Sequence, residues 1–585
     1  MASISDTLPK LPITEALPEL GAALSTGTRA VLSAPPGAGK TTLVPLYLLD
    51  QPWRGDGRII LLEPRRLAAR AAAGRMASLL GERVGETVGY RMRLDVRVSV
   101  RTRIEVVTEG VFARMILDDP ELSGVSAVLF DEFHERSLDA DFGLALALDV
   151  QAALREDLRI VVMSATLDVD RVCALLDNPP AIVSEGRSYP VEIRHQDRPS
   201  GERMEDTMAR AIIEAHRAEN GSILAFLPGQ AEITRTAERL EGRFGPETTV
   251  VPLYGNLGQK EQDAAIRPAP AGTRKIVLAT SIAETSITID GVRIVIDSGL
   301  QRLPVFEAAT GITRLETVRV SRASAEQRAG RAGRTEPGVG IRLWHAGQTA
   351  ALPAFTPPQI LSSDLSGFML DLAHWGVSDP AALRLVDAPP TAAVEEARAL
   401  LRLLGALDAA GTLTPSGKRI RELALPPRLA AMILSAAETG EQVAAARLAV
   451  LLTEQGLGGT AVDIEERLRR FNQERGERAD AARRLAQRMA EGFGTAKAGA
   501  ISTPGALLLH AFPDRIALQR GAGHDQQEGR FRQARHRQVA LDAAAGVEHL
   551  GIDDLAGRDI HLVGAELLEE GERIAALHTD LAEGD

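Results

Sequence analysis

A single cysteine, Cys173, stands in a chain of 585 residues. It excludes an internal disulfide framework and any cysteine-based metal cluster. Aromatic residues make up only 3% of the chain, too few for an extended base-stacking platform. No apolar run reaches the length of about 18 residues that a membrane-spanning helix needs. Residues 1–10 lack the basic and apolar regions of a signal peptide, so a cytoplasmic location is the expectation. An excess of positive charge is missing too. The net charge of −12 argues against a wholesale polyanion binder, yet it permits local basic grooves. Charge is uneven near the end: residues 515–537 hold six Arg against Asp525 and Glu528, and 541–585 hold twelve acidic residues against two Arg. Either block also reads as a solvated surface.

What is present fits an ordinary globular composition, with 45% hydrophobic and 25% charged residues. The length implies about three to five domains of roughly 100–200 residues each. The central stretch is Val128-Leu129-Phe130-Asp131-Glu132-Phe133-His134-Glu135-Arg136-Ser137. An apolar run ending in Asp-Glu reads as a buried parallel strand carrying two carboxylates to its C-terminal edge, where open α/β sheets place their ligands. In a nucleotidase the first carboxylate would hold Mg²⁺ and the second would polarise the attacking water. Alone, the same pattern fits a strand entering a solvated turn.

The rest of the chain supplies a setting. The strand Arg29-Ala30-Val31-Leu32-Ser33 leads into Ala34-Pro35-Pro36-Gly37-Ala38-Gly39-Lys40-Thr41-Thr42 and then a helix-like apolar run. Strand, glycine loop, Lys-Thr and helix make a P-loop, whose backbone N–H groups and helix N-terminus cradle phosphates. Lys40 would neutralise phosphate oxygens and the Thr41 hydroxyl would ligate Mg²⁺. Ala34 replaces the usual first glycine, the position least in need of a positive φ. A second strand ends in Glu63-Pro64-Arg65-Arg66, where two Arg beside helix-N-terminal amides suit a phosphate, or simply a basic helix surface. Further strands end at Thr108-Glu109-Gly110 and Ser164-Ala165-Thr166. Five strands alternating with helices predict a parallel doubly wound sheet over about residues 13–182.

The pattern restarts at Ser222, with strands ending at Phe226, Leu253, Ala279 and Asp297 but no second P-loop. Residues 197–205 read as the linker, and 302–320 as a β-hairpin with Gly311 in its turn. Gln327-Arg328-Ala329-Gly330-Arg331-Ala332-Gly333-Arg334 then opens a helix with three Arg at three-residue spacing. On one helical face these like charges cost energy unless an anion sits opposite.

With these segments in hand, the chain resembles superfamily 2 helicases of the DEAH-box class, and within it the bacterial HrpB type. The matching stretches, in order, are 34–42, 63–70, 108–110, 131–134, 164–166, 226–229, 279–292 and 327–334. Phe133 departs from the alanine of the class name, while both carboxylates and His134 are kept. The resemblance implies an α/β fold of two tandem RecA-like P-loop domains, 13–182 and 205–375, followed by a mostly helical region. In that region 380–429 would be winged-helix-like and 430–520 a helical ratchet-like domain. For 521–585 the start of a small β-domain is one reading, and the chain reads as shortened there. ATP with Mg²⁺ would bind between the RecA-like domains, held by Lys40, Thr41 and Asp131. Glu132 would act as general base, Gln327 would orient the lytic water, and Arg331 and Arg334 would be arginine fingers. His134 would face Gln327, and Ser164 and Thr166 would couple hydrolysis to strand movement. Arg65, Arg66, Thr108 and Thr280 match positions that contact a nucleic-acid backbone.

The expected activity is an ATP-dependent helicase, 3′→5′ by resemblance, whose partner is single-stranded RNA or DNA bound through its backbone. No membrane partner is expected, and the chain is expected to act as a monomer. An ATPase that remodels ribonucleoprotein without processive unwinding uses the same motifs and stays open. A non-hydrolytic nucleotide sensor requires a broken catalytic set, and none is broken here. The Arg-rich run 467–488 fits either a solvated helix face or strand contact.

Overall fold

The computed structural model describes residues 8–93, 95–165, 169–185, 189–255, 257–284, 289, 291–307, 312–334, 336–454, 456–459, 461, 463–493, 503–518, 560–563 and 576–579. The chain forms two compact units. One comprises Met1–Pro304, Leu315–Ser363 and Ala381–Ala388; the other comprises Val305–Arg314, Asp364–Pro380 and Pro389–Asp585.

The first unit holds two parallel sheets. Strands β1 (Arg29–Ser33), β2 (Arg58–Glu63), β3 (Val88–Met92), β4 (Asp95–Arg97), β5 (Ile104–Thr108), β6 (Val125–Phe130), β7 (Arg159–Ser164) and β8 (Ala181–Val183) build the first, in the order β4-β3-β5-β2-β6-β7-β1-β8. Only the β3–β4 pair is antiparallel among these strands. Both faces are covered. Ala30, Leu32, Ile59, Leu61, Val106 and Leu129 pack with the helices Leu17–Thr26, Lys40–Leu48 and Arg66–Leu79. The alternate residues Val31, Ile60, Val107, Val128 and Val162 are equally buried. Two-sided burial is why these strands read as continuous apolar runs.

Strands β9 (Val191–His195), β10 (Ser222–Phe226), β11 (Thr248–Leu253), β12 (Arg274–Ala279) and β13 (Val292–Asp297) belong to the second sheet. They are followed by the two-stranded pair β14 (Leu300–Glu307) and β15 (Ile312–Arg319), then by β16 (Gly338–Arg342). The sheet order is β11-β12-β10-β13-β16-β9, all parallel. β14 and β15 are the arms of the expected hairpin; its turn, with Gly311, lies outside the described residues.

Two expectations are corrected. The first sheet has eight strands rather than five: β3, β4 and β8 are short or interrupted by Gly89 and Arg91, which hides them from an apolar-run reading. The linker expected at 197–205 comes too late, because β9 already pairs with β16. The crossover between sheets therefore lies between Val183 and Val191. β9 is an edge strand with exposed polar positions, so its sequence shows no buried run.

The second unit is mainly helical. The helices Ser366–His374, Thr391–Leu403 and Pro415–Glu422 come first, with a Leu407–Leu413 antiparallel bridge between the last two. Then follow Pro427–Thr439, Gln442–Thr453, Ile464–Gln473, Glu477–Glu491 and Pro504–Ala511. In the Arg-rich run Arg469, Arg470, Arg475, Arg478, Arg484 and Arg488 are exposed, while two others are structural. Arg467 is buried against the carbonyls of Leu451 and Leu457, and Arg483 donates to Phe471 O at 2.6 Å. Ile516–Leu518, Ile560–Val563 and Ala576–Thr579 form a three-stranded antiparallel sheet, while most of the basic block 515–537 lies outside the described residues. Among the described residues no helix is long and apolar enough to cross a membrane.

Candidate nucleotide site between the two sheets

Register brings the first sheet's motifs to one edge. Ser33 pairs with Ser164, Glu63 with Thr108, and Leu62 with Phe130, so the residues that follow emerge side by side. The P-loop leaves β1, and its first amide, Ala34 N–H, donates to Ser164 O at 3.0 Å. Gly37 and Gly39 turn the loop with φ of +85° and +95°, conformations that favour glycine. A Cβ on Gly39 would also strike Leu11 at 2.7 Å, because the turn Pro12–Glu15 braces the loop and Ile13 N–H donates to Ala38 O at 3.1 Å. Pro35, Pro36 and Ala38 complete the loop, and Thr42 stands in the first turn of the helix that Lys40 and Thr41 begin.

Lys40 is buried and lies 3.2 Å from both Glu132 carboxylate oxygens and 3.9 Å from Asp131. The Thr41 hydroxyl donates to Asp131. Glu132 and Arg136 bracket the turn Phe133–Glu135 with left-handed φ of 48° and 50°. Left-handed backbone costs a non-glycine residue roughly 1–2 kcal/mol. Strain of this kind persists where surrounding contacts enforce it, and here it accompanies the inward carboxylate of Glu132.

Electrostatics separates the two carboxylates. Burial pushes Asp131 up to about 6, although Lys40 opposes it. Burial acts on Glu132 the same way, but Lys40 and then His134 outweigh it and hold the carboxyl at about 2. Burial works against the Lys40 ammonium, yet Glu132 and Asp131 leave it above an ordinary lysine. A third carboxylate, Glu63, is fully buried beside them, and neither of its oxygens has a hydrogen-bond partner. Burial, then Asp131 and Glu132, drive its pKa well above the usual range. Sequence reading placed Glu63 in a motif but gave it no role; the signal was a carboxylate ending the strand beside Asp131.

The second sheet supplies the opposite wall. The side-chain amide of Gln327 lies 2.9 Å from His134 Nε2. Ala165 N–H donates to His134 Nδ1 at 3.3 Å, which puts the imidazole proton on Nε2 and requires the Gln327 amide to meet it with its oxygen. Burial lowers the His134 pKa, consistent with a neutral ring. Arg331 is buried and its Nε donates to Glu284 O at 2.9 Å. Arg334 reaches the P-loop: a Cβ on Gly37 would sit 3.8 Å from its Nε. Burial and the neighbouring Arg334 hold Arg331 well below an ordinary guanidinium value, so an anion here would relieve a costly charge.

The three arginines do not share one face, as their spacing had suggested. The helix Arg322–Gly330 gives way to a tighter turn at Arg331–Gly333. Arg328 is turned inside, paired with Glu284 at 2.8 Å and Asp297 at 2.9 Å over the Phe226 ring. It anchors the wall, while Arg331 and Arg334 face the cleft.

The residues expected to meet a strand are spread differently. Arg66 is exposed, Thr108 stands at the N-cap position of the helix Glu109–Asp118 without a side-chain capping bond, and Thr280 precedes the turn Ser281–Ala283. Arg65 is engaged elsewhere: Nη1 donates to Ser281 O at 2.9 Å and Ile282 O at 3.0 Å, and Nη2 to Glu135 at 3.1 Å. Thr166 lies outside the described residues.

The donor set fits a nucleoside triphosphate with a divalent cation. The loop offers a glycine cradle, Thr41 and Asp131 offer hard oxygen ligands, and the partnerless oxygens of Glu63 lie buried nearby, where a cation would favour their ionised form. No group of three or more His, Cys, Asp or Glu among the described residues forms a protein-only metal cage.

Residues 15–175 match the DEAD/DEAH box helicase family model, and 204–336 match that of the helicase conserved C-terminal domain. The ATP-dependent RNA helicase HrpB of Escherichia coli is 47% identical over 534 residues, which is 91% of this chain and 64% of that protein. The ATP-dependent RNA helicase HrpA of the same organism is 34% identical over 74% of this chain and 34% of its own length. A crystal structure of Escherichia coli DEAH/RHA helicase HrpB superposes with a TM-score of 0.81 at 48% identity, covering 88% of this chain and 64% of that one. The chain thus spans a little under two thirds of its HrpB relative. Two tandem RecA-like sheets, a P-loop facing paired arginines and these likenesses agree: the chain belongs to the DEAD/DEAH-box helicase family.

Proposed function

We propose that this chain is an ATP-dependent RNA helicase of 3′→5′ polarity, a cytoplasmic monomer that hydrolyses ATP with Mg²⁺ between its two RecA-like domains. The observation that carries the reading is the pairing across the cleft. Lys40, Asp131 and Glu132 stand on one wall, Gln327, Arg331 and Arg334 on the other, and His134 meets Gln327 at 2.9 Å. In-line attack on a γ-phosphate needs a metal site, a base and a cationic clamp. RNA as the strand is supported by the names of the relatives, and backbone contact implies little sequence specificity.

Thr41 and Asp131 would hold Mg²⁺, which would supply charge neutralisation at the phosphates. Lys40 exchanges Glu132 for phosphate oxygens. Losing that partner raises the basicity of Glu132, which then accepts a proton from the attacking water. Gln327, fixed by His134, orients that water. Arg331 and Arg334 stabilise charge on the transferred group. The base and the arginines come from different sheets, so turnover requires the closed arrangement, and reopening changes the grip on the strand. Ser164 and Thr166 would carry that linkage, and Arg66, Thr108 and Thr280 would hold the strand's phosphates.

The test is ATP turnover with single-stranded RNA or DNA of equal length, followed by strand displacement on a duplex with a 3′ overhang. Stimulation by RNA together with ATP-dependent displacement is the expected result. Turnover indifferent to nucleic acid, with no displacement, overturns the reading.

A further inference from the structure

Arg65 and Arg66 follow one another at the end of β2, yet the structure treats them differently. Arg66 is exposed, whereas the Arg65 guanidinium reaches across the cleft. Its Nη1 holds two successive carbonyls, Ser281 O and Ile282 O, in the turn after β12. Carbonyls at the end of a short helical turn carry partial negative charge, and Ser281 O, which also accepts from Glu284 N–H at 3.0 Å, keeps a second lone pair for Arg65. A lysine ammonium could meet two such carbonyls, but as a single point donor it matches poorly the further contact that the second nitrogen of the guanidinium fork makes. Nη2 of the same side chain is held by Glu135, on the turn that follows Glu132. Arg65 thus ties the general-base turn of one sheet to a turn of the other.

That second turn also seats Arg331. Arg331 Nε donates to Glu284 O at 2.9 Å, and the Glu284 carboxylate accepts from Arg328 Nε at 2.8 Å. Ser281, Ile282 and Glu284 are therefore gripped from the first sheet by Arg65 and from the second by Arg328 and Arg331. An independent contact runs alongside: Leu67 packs on the second sheet's core cluster, which contains Ala283 and Ile289. Thr280, expected to touch a strand phosphate, opens the same turn.

We propose that Arg65 is a positioning residue for hydrolysis, clamping the Ser281–Ala283 turn to the first sheet so that Arg331 faces the P-loop, rather than a strand-contact residue. The inference rests on the ATPase reading above and deepens it. A strand held at Thr280 steadies the turn that Arg65 grips, which gives nucleic acid a short route to the arginine wall.

The test uses the full chain with Arg65→Ala and Arg65→Lys, a fluorescent single-stranded RNA, and Arg66→Ala as the benchmark for loss of a phosphate contact. A clamp predicts that kcat at saturating RNA falls by about 10²-fold, the scale of a misplaced catalytic group. KM for ATP stays within about twofold, and so does RNA affinity, with an unchanged slope of log affinity against log salt. Arg65→Lys should recover little, because the fork is lost. A strand contact predicts the reverse: kcat at saturation intact, RNA affinity lowered, and the salt slope reduced by about one, as for Arg66→Ala. That result overturns the proposal. If Arg65→Ala also lowers thermal stability, an Arg331→Ala background decides. Acting through Arg331, Arg65→Ala should cost less than about twofold there, whereas an undiminished loss refutes the proposal. Failure of the wider reading looks different: the unsubstituted chain then shows no stimulation by RNA, while basal kcat still reports on the clamp.

Discussion

Glu109→Gln should make the protein more stable, and increasingly so as pH rises. Glu109 begins the helix Glu109–Asp118 and is almost fully buried, with Ser137 Oγ donating to it at 2.5 Å. Burial lifts its pKa from 4.5 to about 8; the Ser137 bond opposes the shift, and Glu135, Asp139 and Asp141 add to it. The raised value sets the sign. Between 4.5 and 8 the folded protein keeps a proton that the unfolded chain has released, so the carboxyl costs stability as pH climbs through that window. The cost is absent below the unfolded value and complete above about 8. At about 1.4 kcal/mol per unit, it reaches about 3 kcal/mol at pH 7 and about 5 kcal/mol at its plateau. Glutamine keeps an acceptor for Ser137 and removes the titration. One kcal/mol moves the midpoint of a domain of this size by roughly 2–4 °C. The melting temperatures of variant and parent, followed by differential scanning fluorimetry, should therefore nearly coincide at about pH 5 and differ by about 6–12 °C at pH 7. Parallel curves, or a variant less stable at about pH 8.5, would refute the reasoning and imply that Ser137 stabilises an ionised Glu109.

The proposed catalytic residues give two further expectations. Glu132→Gln should retain ATP and RNA binding and lose turnover by on the order of 10³ or more; steady-state turnover alongside fluorescent-nucleotide binding separates the two, and near-normal turnover would remove Glu132 from its role. Arg331→Ala should lower kcat by about 10³-fold with KM nearly unchanged, and a defect confined to KM would contradict its place at the transferred phosphate.

The parts legible in the sequence were those whose function is encoded locally. A P-loop is a run of nine residues whose backbone makes the site, and Asp131-Glu132 ends a strand buried on both faces. Tertiary context decided the rest. Spacing alone placed Arg328, Arg331 and Arg334 together; the change of helix type at Arg331 and the buried acids Glu284 and Asp297 took Arg328 out of the cleft. The left-handed backbone at Glu132 and Arg136 has no residue signature, since neither is glycine. β9 was missed because an edge strand with exposed polar positions resembles a linker. The partners of Arg65 lie more than two hundred residues away in the chain, beyond any local pattern.

The segment Ala381–Ala388 bears on how separable the units are. It belongs to the first unit although residues of the second flank it on both sides. Asp387 pairs with Arg136 at 2.6 Å, directly behind the turn Phe133–Glu135, and with Arg171 at 2.7 Å. Arg384 pairs with Asp177 at 2.7 Å. The two units are thus braided along the sequence rather than strung one after the other. A fragment cut after residue 363 would keep both sheets but would leave Arg136, fixed to Asp141, without its second carboxylate. In this protein the boundaries of a fold and the places where the chain can be cut are not the same positions.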